Sequence, residues 1–536
     1  MREKLFYHGD ILTMEAKLRE EAVLIRDGKI AFVGGLSEAE NMAGEDVEKV
    51  DLEGKTLLPS FIDAHSHFLG YANALLQVDL SEACSLEEIK KKIQNFIIEH
   101  KIEKGEWVLA NGMDPDNLEE KMLPDITFLD EAAPDNPVVC QHQSGHSGVF
   151  NTKALEKLGI DCDTLEPEGG RIGRCENRLT GLLEENAFVE YIRKVEMPSR
   201  GDLYKACEKA QERYLSYGIT TVQEGFIVPE LAQLIRYLQL SKLLKLDLIG
   251  YVDIKSRKEI LKDFKDCVKK YEHHFKVGGY KIFLDGSPQS LTAWMLTPYL
   301  SSKSGFSGIP LYTDQEVEGF LETAVNDNMQ ILVHSNGDAA CDQYIAAYKN
   351  VLEKTKKKYD IRPVIVHAQF LKPSQLGDVK GLKMIPSFFV GHVYYWGDVH
   401  IKNVGKERAA QISPAHSAQN MNLPFTFHQD SPVTEPNMLE TIWVAVNRIT
   451  KSGVELGKEE AIEPLEALKA VTINAAHQYF EEETKGSIRI GKRADFVILD
   501  KNPLEIDKIQ IKDIQVLETI KDGKTVYSSV SSRRGL

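Results

Sequence analysis

Two histidines spaced two residues apart close an apolar stretch near the start of the chain. The stretch reads Leu57-Leu58-Pro59-Ser60-Phe61-Ile62-Asp63-Ala64-His65-Ser66-His67 and is typical of a buried strand. Residues two apart on a strand project from the same face, so His65 and His67 can point at one cation. Neutral imidazole is the commonest metal ligand in proteins. Alone, the pair fits an ordinary polar strand end equally well, so the rest of the chain must decide.

Further residues with suitable chemistry stand in or at the ends of later apolar runs. They are Lys281, His334, His367 and Asp430. Imidazole and carboxylate suit Zn²⁺ and similar divalent ions, and the lack of cysteine among them favours a catalytic site over a structural one. With His65 and His67, these residues form the predicted metal-binding set, for one or two ions per chain.

Lys281 is the unusual member of this set. An ammonium group is not a metal ligand, and burying it unpaired beside cations is costly. Addition of CO₂ to the amine would give a carbamate anion that can bridge two metals. The alternative is a lysine paired with Asp285 or Glu224, and the sequence leaves both interpretations open.

Alternating strands and helices position these residues. Predicted helices lie near 203–216, 314–327, 338–356 and 405–411, and the predicted strands are 57–67, 218–224, 246–252, 277–284, 330–334, 363–367, 384–388 and 425–430. Such alternation is typical of parallel βα units, and eight strands close a barrel of this kind. We therefore predict an α/β fold with a (β/α)₈ TIM-like barrel over residues 57–484. The carboxyl ends of its strands converge on one active site.

The remaining segments are predicted to be additions to the barrel. Residues 1–56 and 485–536 contain short β runs, each too small for its own core, and are expected to pair as one composite β-sandwich. Residues from about 85 to 205 mix strand and helix patterns with proline and glycine, and are too long for a loop. We expect them to form an inserted subdomain that covers the carboxyl-terminal rim.

Composition excludes several classes of partner. The chain has 536 residues, 42% hydrophobic and 27% charged, as is ordinary for a globular protein. The net charge of −16 argues against nucleic acid or an anionic membrane surface as a partner. Seven scattered cysteines without a Cys-x-x-Cys pair predict a reduced, cytoplasmic protein. We expect a small-molecule substrate and leave a homodimer open.

The whole pattern resembles the amidohydrolase superfamily. His-x-His, a strand-four lysine, two further histidines and a strand-eight aspartate match it, and Gly491-Lys492-x-Ala494-Asp495-Phe496 is similar to its return to an amino-terminal β-sandwich. Three further motifs resemble amidohydrolase family 3, the long metal-dependent branch that includes N-substituted formamide deformylases. These motifs are Gly181-Leu182-Leu183-Glu184-Glu185, Ser144-Gly145-His146 with Asn151, and Lys281-x-x-x-Asp285-Gly286-Ser287. The resemblance covers nearly the whole chain.

The resemblance implies a reaction and roles for the residues. The enzyme would hydrolyse a non-peptide carbon–nitrogen bond, amide or formamide-like, by attack of metal-bound hydroxide, with Zn²⁺ as the expected metal. Asp430 would be both a metal ligand and the general base, returning its proton to the leaving nitrogen. The resemblance implies the fold and the metal ligands strongly and the substrate only weakly, because members of one fold differ in chemistry.

Three residues are candidate substrate contacts. His392 and Trp396 follow the seventh strand in a predicted aromatic-rich loop, which suggests an apolar substrate group, and His146 in the insertion is placed to act as a lid. A structural or solvated role is an equal alternative for each. His428 shares its strand face with Asp430. The other histidines are expected at the surface: His8, His100, His400 and the pair His273-His274.

Two rival functions stay open. The first is a deaminase of the same superfamily, which usually works with one metal and without the bridging lysine, so Lys281 argues against it and metal stoichiometry would discriminate. The second is a non-catalytic scaffold that keeps the barrel as a binding or oligomerisation module. A scaffold would be expected to lose ligands, yet all six are present.

Overall fold

The structure is a computed structural model that describes residues 3–115, 117–142, 146–176, 178–196, 199–356 and 360–532. The chain divides into two compact units. The first contains Met1–Leu69 and Gln211–Leu536, and the second contains Gly70–Ala210. Among the described residues, no helix combines the length and apolarity that crossing a membrane requires.

The first unit is built around a parallel sheet of eight strands, here called the central sheet. In spatial order, which is also chain order, the strands are Phe61–Ile62, Ile219–Ile227, Asp247–Asp253, Phe275–Phe283, Gln330–Ser335, Val364–His367, Ile385–Phe388 and Thr426–Phe427. Every neighbouring pair is parallel. Strands that are buried on both faces of a sheet require nearly continuous apolar sequence. These strands therefore stand out in the sequence as apolar runs, without an alternation of polar and apolar residues. The predicted α/β class is confirmed.

The central sheet curls until its first and last strands approach each other. Beyond the regular ladders, the Asp430 N–H donates to the His65 carbonyl at 3.2 Å. The His67 N–H donates to the Ser431 carbonyl at 2.8 Å. These two bonds place the residues that follow the first strand beside those that follow the eighth.

Helices follow most strands of the central sheet. One of them, Asp314–Asn326, begins with a capping box formed by Thr313 and Glu316. The described α-helices of the first unit are Leu36–Met42, Pro229–Leu240, Arg257–Asp263, Asp314–Asn326, Asp338–Thr355, Leu376–Gly381, His392–Val404, Lys406–Ala410, Ala415–Asn420, Met438–Asn447, Pro464–Ala470, Ile473–Gln478 and Ser529–Ser532. Its short 3₁₀ helices are Lys265–Cys267, Pro373–Gln375, Lys458–Glu460 and Lys508–Asp513.

Strands from both chain ends share a second sheet in the first unit. They are Glu3–Leu12, Arg19–Arg26, Lys29–Gly34, Glu48–Asp51, Thr56–Pro59, Phe496–Leu499, Val516–Lys521 and Lys524–Ser528. The two ends join where Phe496–Leu499 pairs antiparallel with Thr56–Pro59. Phe6 and Phe496 pack edge to face in one buried cluster, with ring centroids 5.8 Å apart. The two chain ends therefore share one core.

The second unit has its own six-stranded sheet. Its strands, in spatial order, are Gly170–Cys175, Arg178–Glu185, Ser147–Phe150, Val138–His142, Val108–Met113 and Val78–Asp79. Its helices are Leu86–Glu99, Ile126–Ala132, Thr152–Leu158 and Asn186–Ile192, while Phe68–Ala74 and Arg200–Ser216 span its two ends. The unit extends from Gly70 to Ala210, beyond the range 85–205 that the sequence suggested.

Candidate metal centre

Three of the predicted ligands converge directly at the carboxyl ends of the central strands. His65 Nε2 and His67 Nε2 lie 3.4 Å and 3.5 Å from the same carboxylate oxygen, Asp430 Oδ1. One ligand atom from each residue lies within 4.8 Å of the others. Asp430 Oδ1 is buried and has no hydrogen-bond partner among the described residues. A buried polar atom needs a partner, and a divalent cation would supply one here.

The other three members of the set adjoin this cluster. Lys281 Nζ lies 3.2 Å from His65 Nε2, and His367 Nε2 lies 3.9 Å from Asp430 Oδ2. The rings of His334 and His367 are 4.5 Å apart, edge to face. The structure therefore brings all six residues together, and their role as ligands stays a prediction.

Strand ends explain how residues so distant in sequence meet. Lys281 lies near the end of Phe275–Phe283, and His367 is the last residue of its strand. His367 and Asp430 have positive φ angles of 70° and 55°, which are uncommon for residues other than glycine. His367 ends its strand in this conformation, whereas Asp430 lies three residues beyond the end of the eighth strand at Phe427.

A hydrogen-bond chain fixes the orientation of His65. The Gln223 amide nitrogen donates to the Ala64 carbonyl and to the Tyr479 hydroxyl, both at 2.8 Å. Gln223 Oε1 therefore accepts from His65 Nδ1–H, at 2.5 Å. This leaves the Nε2 lone pair of His65 facing Asp430 and available to a metal ion. Nothing in the sequence pattern singles out Gln223, which lies on a different strand.

The two residues after Gln223 help to position the His-x-His pair. Glu224 Oε1 lies 3.7 Å from His67 Nδ1, and Glu224 Oε2 accepts from the Leu69 N–H at 2.8 Å. Gly225 leaves space for the neighbouring imidazole, because a Cβ there would lie 2.6 Å from His65 Cε1. Residues within the second strand therefore help to set the positions of both His-x-His rings.

The remaining histidines also have partners behind them. His367 Nδ1 lies 3.1 Å from His428 Nε2, and His428 Nδ1 lies 2.8 Å from Ser387 Oγ. His334 Nδ1 lies 3.3 Å from Asp285 Oδ1. His428, which the sequence placed on the face of Asp430, therefore supports His367 from behind.

The sequence suggested Asp285 as a possible partner of Lys281, but in the structure Asp285 binds backbone N–H groups. Its carboxylate accepts the backbone N–H groups of Trp294, Asn336 and Gly337 at 3.0, 3.0 and 2.7 Å. These bonds hold the loops that follow the fourth and fifth strands. The carboxyl group of Asp285 therefore accepts hydrogen bonds from the backbone and lies near His334. Lys281 lies close to His65 instead.

Burial sets the protonation of the cluster. It holds the pKa of His65 and His367 well below the usual range, with nearby cationic groups adding to the effect. Burial also lowers the pKa of Lys281 to about 7, although Asp430 opposes this. The pKa of Asp430 is raised by burial against the influence of His67 and Lys281. Neutral imidazoles, the form that binds metal, are therefore favoured at neutral pH.

The candidate substrate residues His392 and Trp396 lie on a helix, His392–Val404, and not in the loop that the sequence predicted. Their rings are 4.7 Å apart, and Phe389 lies 4.8 Å from His392 and 5.4 Å from His428. His400 on the same helix is fully buried, so its expected surface position was wrong. The signal for burial was its spacing, because residues at i, i+4 and i+8 share one helix face.

His146, the third candidate, belongs to the second unit. It is exposed, and its Nδ1 lies 3.1 Å from Glu185 Oε2. The preceding motif residues Ser144 and Gly145 lie outside the described residues. Its suggested position over the site stays a prediction.

The curled parallel sheet and its histidine-rich rim define a class, the metal-dependent hydrolases. The sequence model of the amidohydrolase family matches residues 48–527, and the chain belongs to that family. It is an enzyme that hydrolyses carbon–nitrogen bonds other than peptide bonds.

Known relatives extend over nearly the whole chain. The chain is 28% identical to the N-substituted formamide deformylase of Arthrobacter pascens, with 99% of both chains covered. It is 29% identical to Protein LONG AFTER FAR-RED 3 of Arabidopsis thaliana, covering 98% of this chain and 91% of that protein. A solved metal-dependent hydrolase of Pyrococcus horikoshii matches with a TM-score of 0.75 and 26% identity, covering 94% of this chain and 99% of the other.

Proposed function

We propose that the protein hydrolyses the amide or formamide-like bond of a small molecule with the help of a divalent metal. The observation that carries this proposal is the position of Asp430 Oδ1, buried between the Nε2 atoms of His65 and His67. Similarity to the Arthrobacter pascens deformylase supports a bond of this type.

The donor set fits one or two zinc ions. Imidazoles and a carboxylate suit Zn²⁺, and six potential ligands exceed what one tetrahedral ion requires. Lys281 would become an anionic ligand by reacting with CO₂: its neutral amine forms an N–C bond, and the proton lost from nitrogen passes to water. The lowered pKa of Lys281 favours that neutral amine. The carbamate would lie beside His65, where it could bridge a second ion.

A bound divalent metal would polarise the substrate carbonyl and lower the pKa of a coordinated water towards ~7. Asp430 would accept the proton of the attacking water at Oδ1 and transfer it to the departing nitrogen. The aromatic rings of Phe283 and Phe389 flank His334 and His367, and they would exclude water from the substrate.

The proposal extends to the surroundings of the site. The meeting edges of the central sheet would close a (β/α)₈ barrel, and the two chain ends would complete a β-sandwich beside it. His392 and Trp396 would contact the substrate, with Trp396 against an apolar group, and the insertion with His146 would select substrates. We expect this chemistry in the cytoplasm, on small molecules, with no nucleic acid or membrane partner.

A deaminase remains the alternative reaction, and a non-catalytic scaffold is a weaker one. The position of Lys281, 3.2 Å from His65 Nε2, favours a bridged centre over the single ion of the deaminase alternative. A scaffold would not need Gln223 and His428 to orient ligand histidines.

The test is a screen of N-formyl and N-acyl amines with protein loaded with Zn²⁺ or Mn²⁺. We expect release of amine and carboxylate, lost on chelation and restored by metal. His67→Ala should lose both metal and turnover, whereas His8→Ala, an exposed histidine paired with Asp51, should keep them. Full turnover by exhaustively metal-free protein would refute the proposal. Release of ammonia without a carboxylate product would favour the deaminase.

A further inference from the structure

A second pair of buried histidines lies on the helix that follows the seventh strand. His392 and His400 stack almost in parallel, with an angle of 9° and ring centroids 5.3 Å apart. His392 Nδ1 and His400 Nε2 are 3.0 Å apart, so the rings share one hydrogen bond. Both side chains are buried, at 4% and 0% exposure. Two buried imidazoles facing each other need a defined arrangement of protons.

One aromatic ring separates His392 from the histidines that line the wall of the metal centre. Phe389 connects the two, because its ring is 4.8 Å from His392 and 6.3 Å from the ring of His367. Positive charge on His428 or His334 would disfavour protonation of His392. His392 is therefore close enough to both histidines to respond to their charge. A substrate held at the metal centre would extend towards this wall.

The shared hydrogen bond fixes which nitrogen carries each proton. Burial lowers the pKa of His392 well below its usual range and that of His400 to about 3, so both rings are neutral. If His392 donated from Nδ1, the proton of His400 would sit on its own Nδ1. That atom is buried and has no hydrogen-bond partner in the described part of the chain. Its aromatic neighbour Phe370, 5.8 Å away, offers no oxygen or nitrogen acceptor.

The opposite arrangement avoids that cost. A buried N–H without an acceptor is rarer in proteins than an acceptor without a donor. His400 therefore donates from Nε2 to His392 Nδ1, and the single proton of His392 sits on Nε2. In this tautomer, the free nitrogen of His392 is a hydrogen-bond donor and not a base.

We propose that His400 is a positioning residue that holds His392 in its Nε2–H form, and that His392 donates this hydrogen bond to the substrate carbonyl oxygen as negative charge develops there. The inference rests on the proposed function, because the acceptor is the carbonyl oxygen of the hydrolysed bond. A preset donor stabilises a developing oxyanion without reorganisation during the reaction. The opposite tautomer would present a lone pair to that oxygen and repel it.

The tautomer can be measured directly by NMR of metal-loaded protein with ¹⁵N-labelled histidine. His392 and His400 are assigned by the loss of their signals in His392→Gln and His400→Gln, and exposed His273 serves as a solvent-averaged reference. We expect His392 to carry its proton on Nε2 and to accept a hydrogen bond at Nδ1. A proton on His392 Nδ1 would overturn the inference. This NMR measurement does not require turnover, so its result is independent of the proposed function.

Kinetics test the role of the donor. Loss of one donor to an oxyanion costs ~10²–10³-fold in kcat, so we expect that loss for His392→Phe, with unchanged metal content and a KM within a few-fold. His392→Gln, which keeps an N–H donor, should recover part of kcat. Parent kcat in His392→Phe would overturn the inference.

The positioning role predicts a graded result at His400. His400→Phe removes the donor to His392 Nδ1 while keeping a ring, and we expect kcat to fall and the Nδ1 signal of His392 to shift. His400→Gln restores an N–H donor and should recover both readouts. Equal kcat in His400→Phe and His400→Gln would contradict the positioning role. If no amide is turned over by metal-loaded wild-type protein, the proposed function fails, whatever the tautomer.

Discussion

The two ends of the central sheet bury carboxylates in opposite ways. At the amino-terminal end, Asp247 Oδ2 lies 2.7 Å from Lys485 Nζ, 2.8 Å from Arg493 Nη1 and 2.9 Å from Lys521 Nζ. At the carboxyl end, Asp430 faces His65 and His367, whose pKa values burial holds well below the usual range. One carboxylate is saturated by cations of its own chain, and the other is not.

The pKa values of the two carboxyl groups express the same difference. Burial alone would raise both, but Lys485 and Lys521 outweigh it at Asp247, whose pKa lies well below its usual range. At Asp430, His67 and Lys281 do not outweigh burial, and the pKa is raised. A buried charge with complete partners is structural, whereas a buried charge left short of partners marks a place for a ligand.

The amino-terminal end also contains a cavity, but several of its charged lining residues are paired. A cavity of about 560 Å³ lies at the amino-terminal end, lined in part by Lys276, Glu481, Lys485 and Arg493. Glu481 pairs with both lysines, at 2.9 Å to Lys485, and Arg493 pairs with Asp247. Incomplete pairing at the other end is therefore the better guide to the reaction.

Lys281→Ala should affect both metal content and turnover strongly. Lys281→Ala should remove the bridging group, lower metal content to one ion or fewer, and reduce turnover by ~10²-fold or more, as loss of a strong electrostatic contact does. Metal analysis and kinetics measure this. Added acetate should restore part of both if a carbamate is the functional form. Rescue by methylamine in its place would contradict the carbamate.

Replacing the two carboxylates with amides should change the free energy of unfolding in different directions. Asp247→Asn leaves Lys485, Arg493 and Lys521 short of a counter-charge, and breaking buried pairs costs ~3–5 kcal/mol in the free energy of unfolding. Asp430→Asn in metal-free protein removes a penalised buried charge, so the free energy of unfolding should stay equal or rise. Chemical denaturation measures both.

An exposed ion pair provides the control for these variants. Glu322 lies 2.7 Å from Lys354 Nζ at the surface, and Glu322→Gln should change stability by no more than ~1 kcal/mol. If Asp247→Asn is no more costly than Glu322→Gln, the amino-terminal cluster is not the structural element described here.

A smaller effect on metal binding is expected for residues that orient the ligand side chains. Gln223→Leu removes the acceptor of His65 Nδ1–H and should weaken metal binding by ~10–100-fold, as for other residues that orient ligands. Gln330→Leu is the matched control, because Gln330 is also a buried glutamine, bonded to the carbonyls of Arg362 and Gln478. Metal titration should show weakened binding for Gln223→Leu alone. Equal affinity in the two variants would contradict the orienting role.

The smallest expected effect is on pH dependence. Because the folded-state pKa of Asp247 is depressed, its stabilisation is fully present above the unfolded-state pKa of ~3.9 and is lost as pH falls through the folded-state value. The stability gap between wild type and Asp247→Asn should therefore hold from about pH 7 to about pH 5 and narrow only below ~4. Unfolding curves across this range test it, and narrowing near neutral pH would contradict it.

Most strands of the central sheet were predictable from the sequence, and the partners behind their ends were not. Eight apolar runs each contain one strand of the central sheet, but the run 57–67 divides between two sheets, and the first and eighth strands are only Phe61–Ile62 and Thr426–Phe427. His65, His67 and Asp430 therefore lie beyond the ends of these strands, and not on them as the sequence predicted. Gln223 and His400 were missed because their importance depends on contacts with His65 and His392. The first contact joins residues far apart in the chain, and the second depends on a helix that aromatic composition made look like a loop.

We propose that Asp430 moves the proton in a metal-dependent hydrolysis. The direct measurement is kcat and metal content of Asp430→Asn with an amide that the screen identifies. Asn keeps the size and polarity of the side chain but loses its basicity, and loss of a general base costs ~10²–10⁴-fold. We predict that loss in kcat, with metal largely retained by the histidines and KM much less affected. Turnover at the parent rate with normal metal content would contradict the mechanism even if the fold is right.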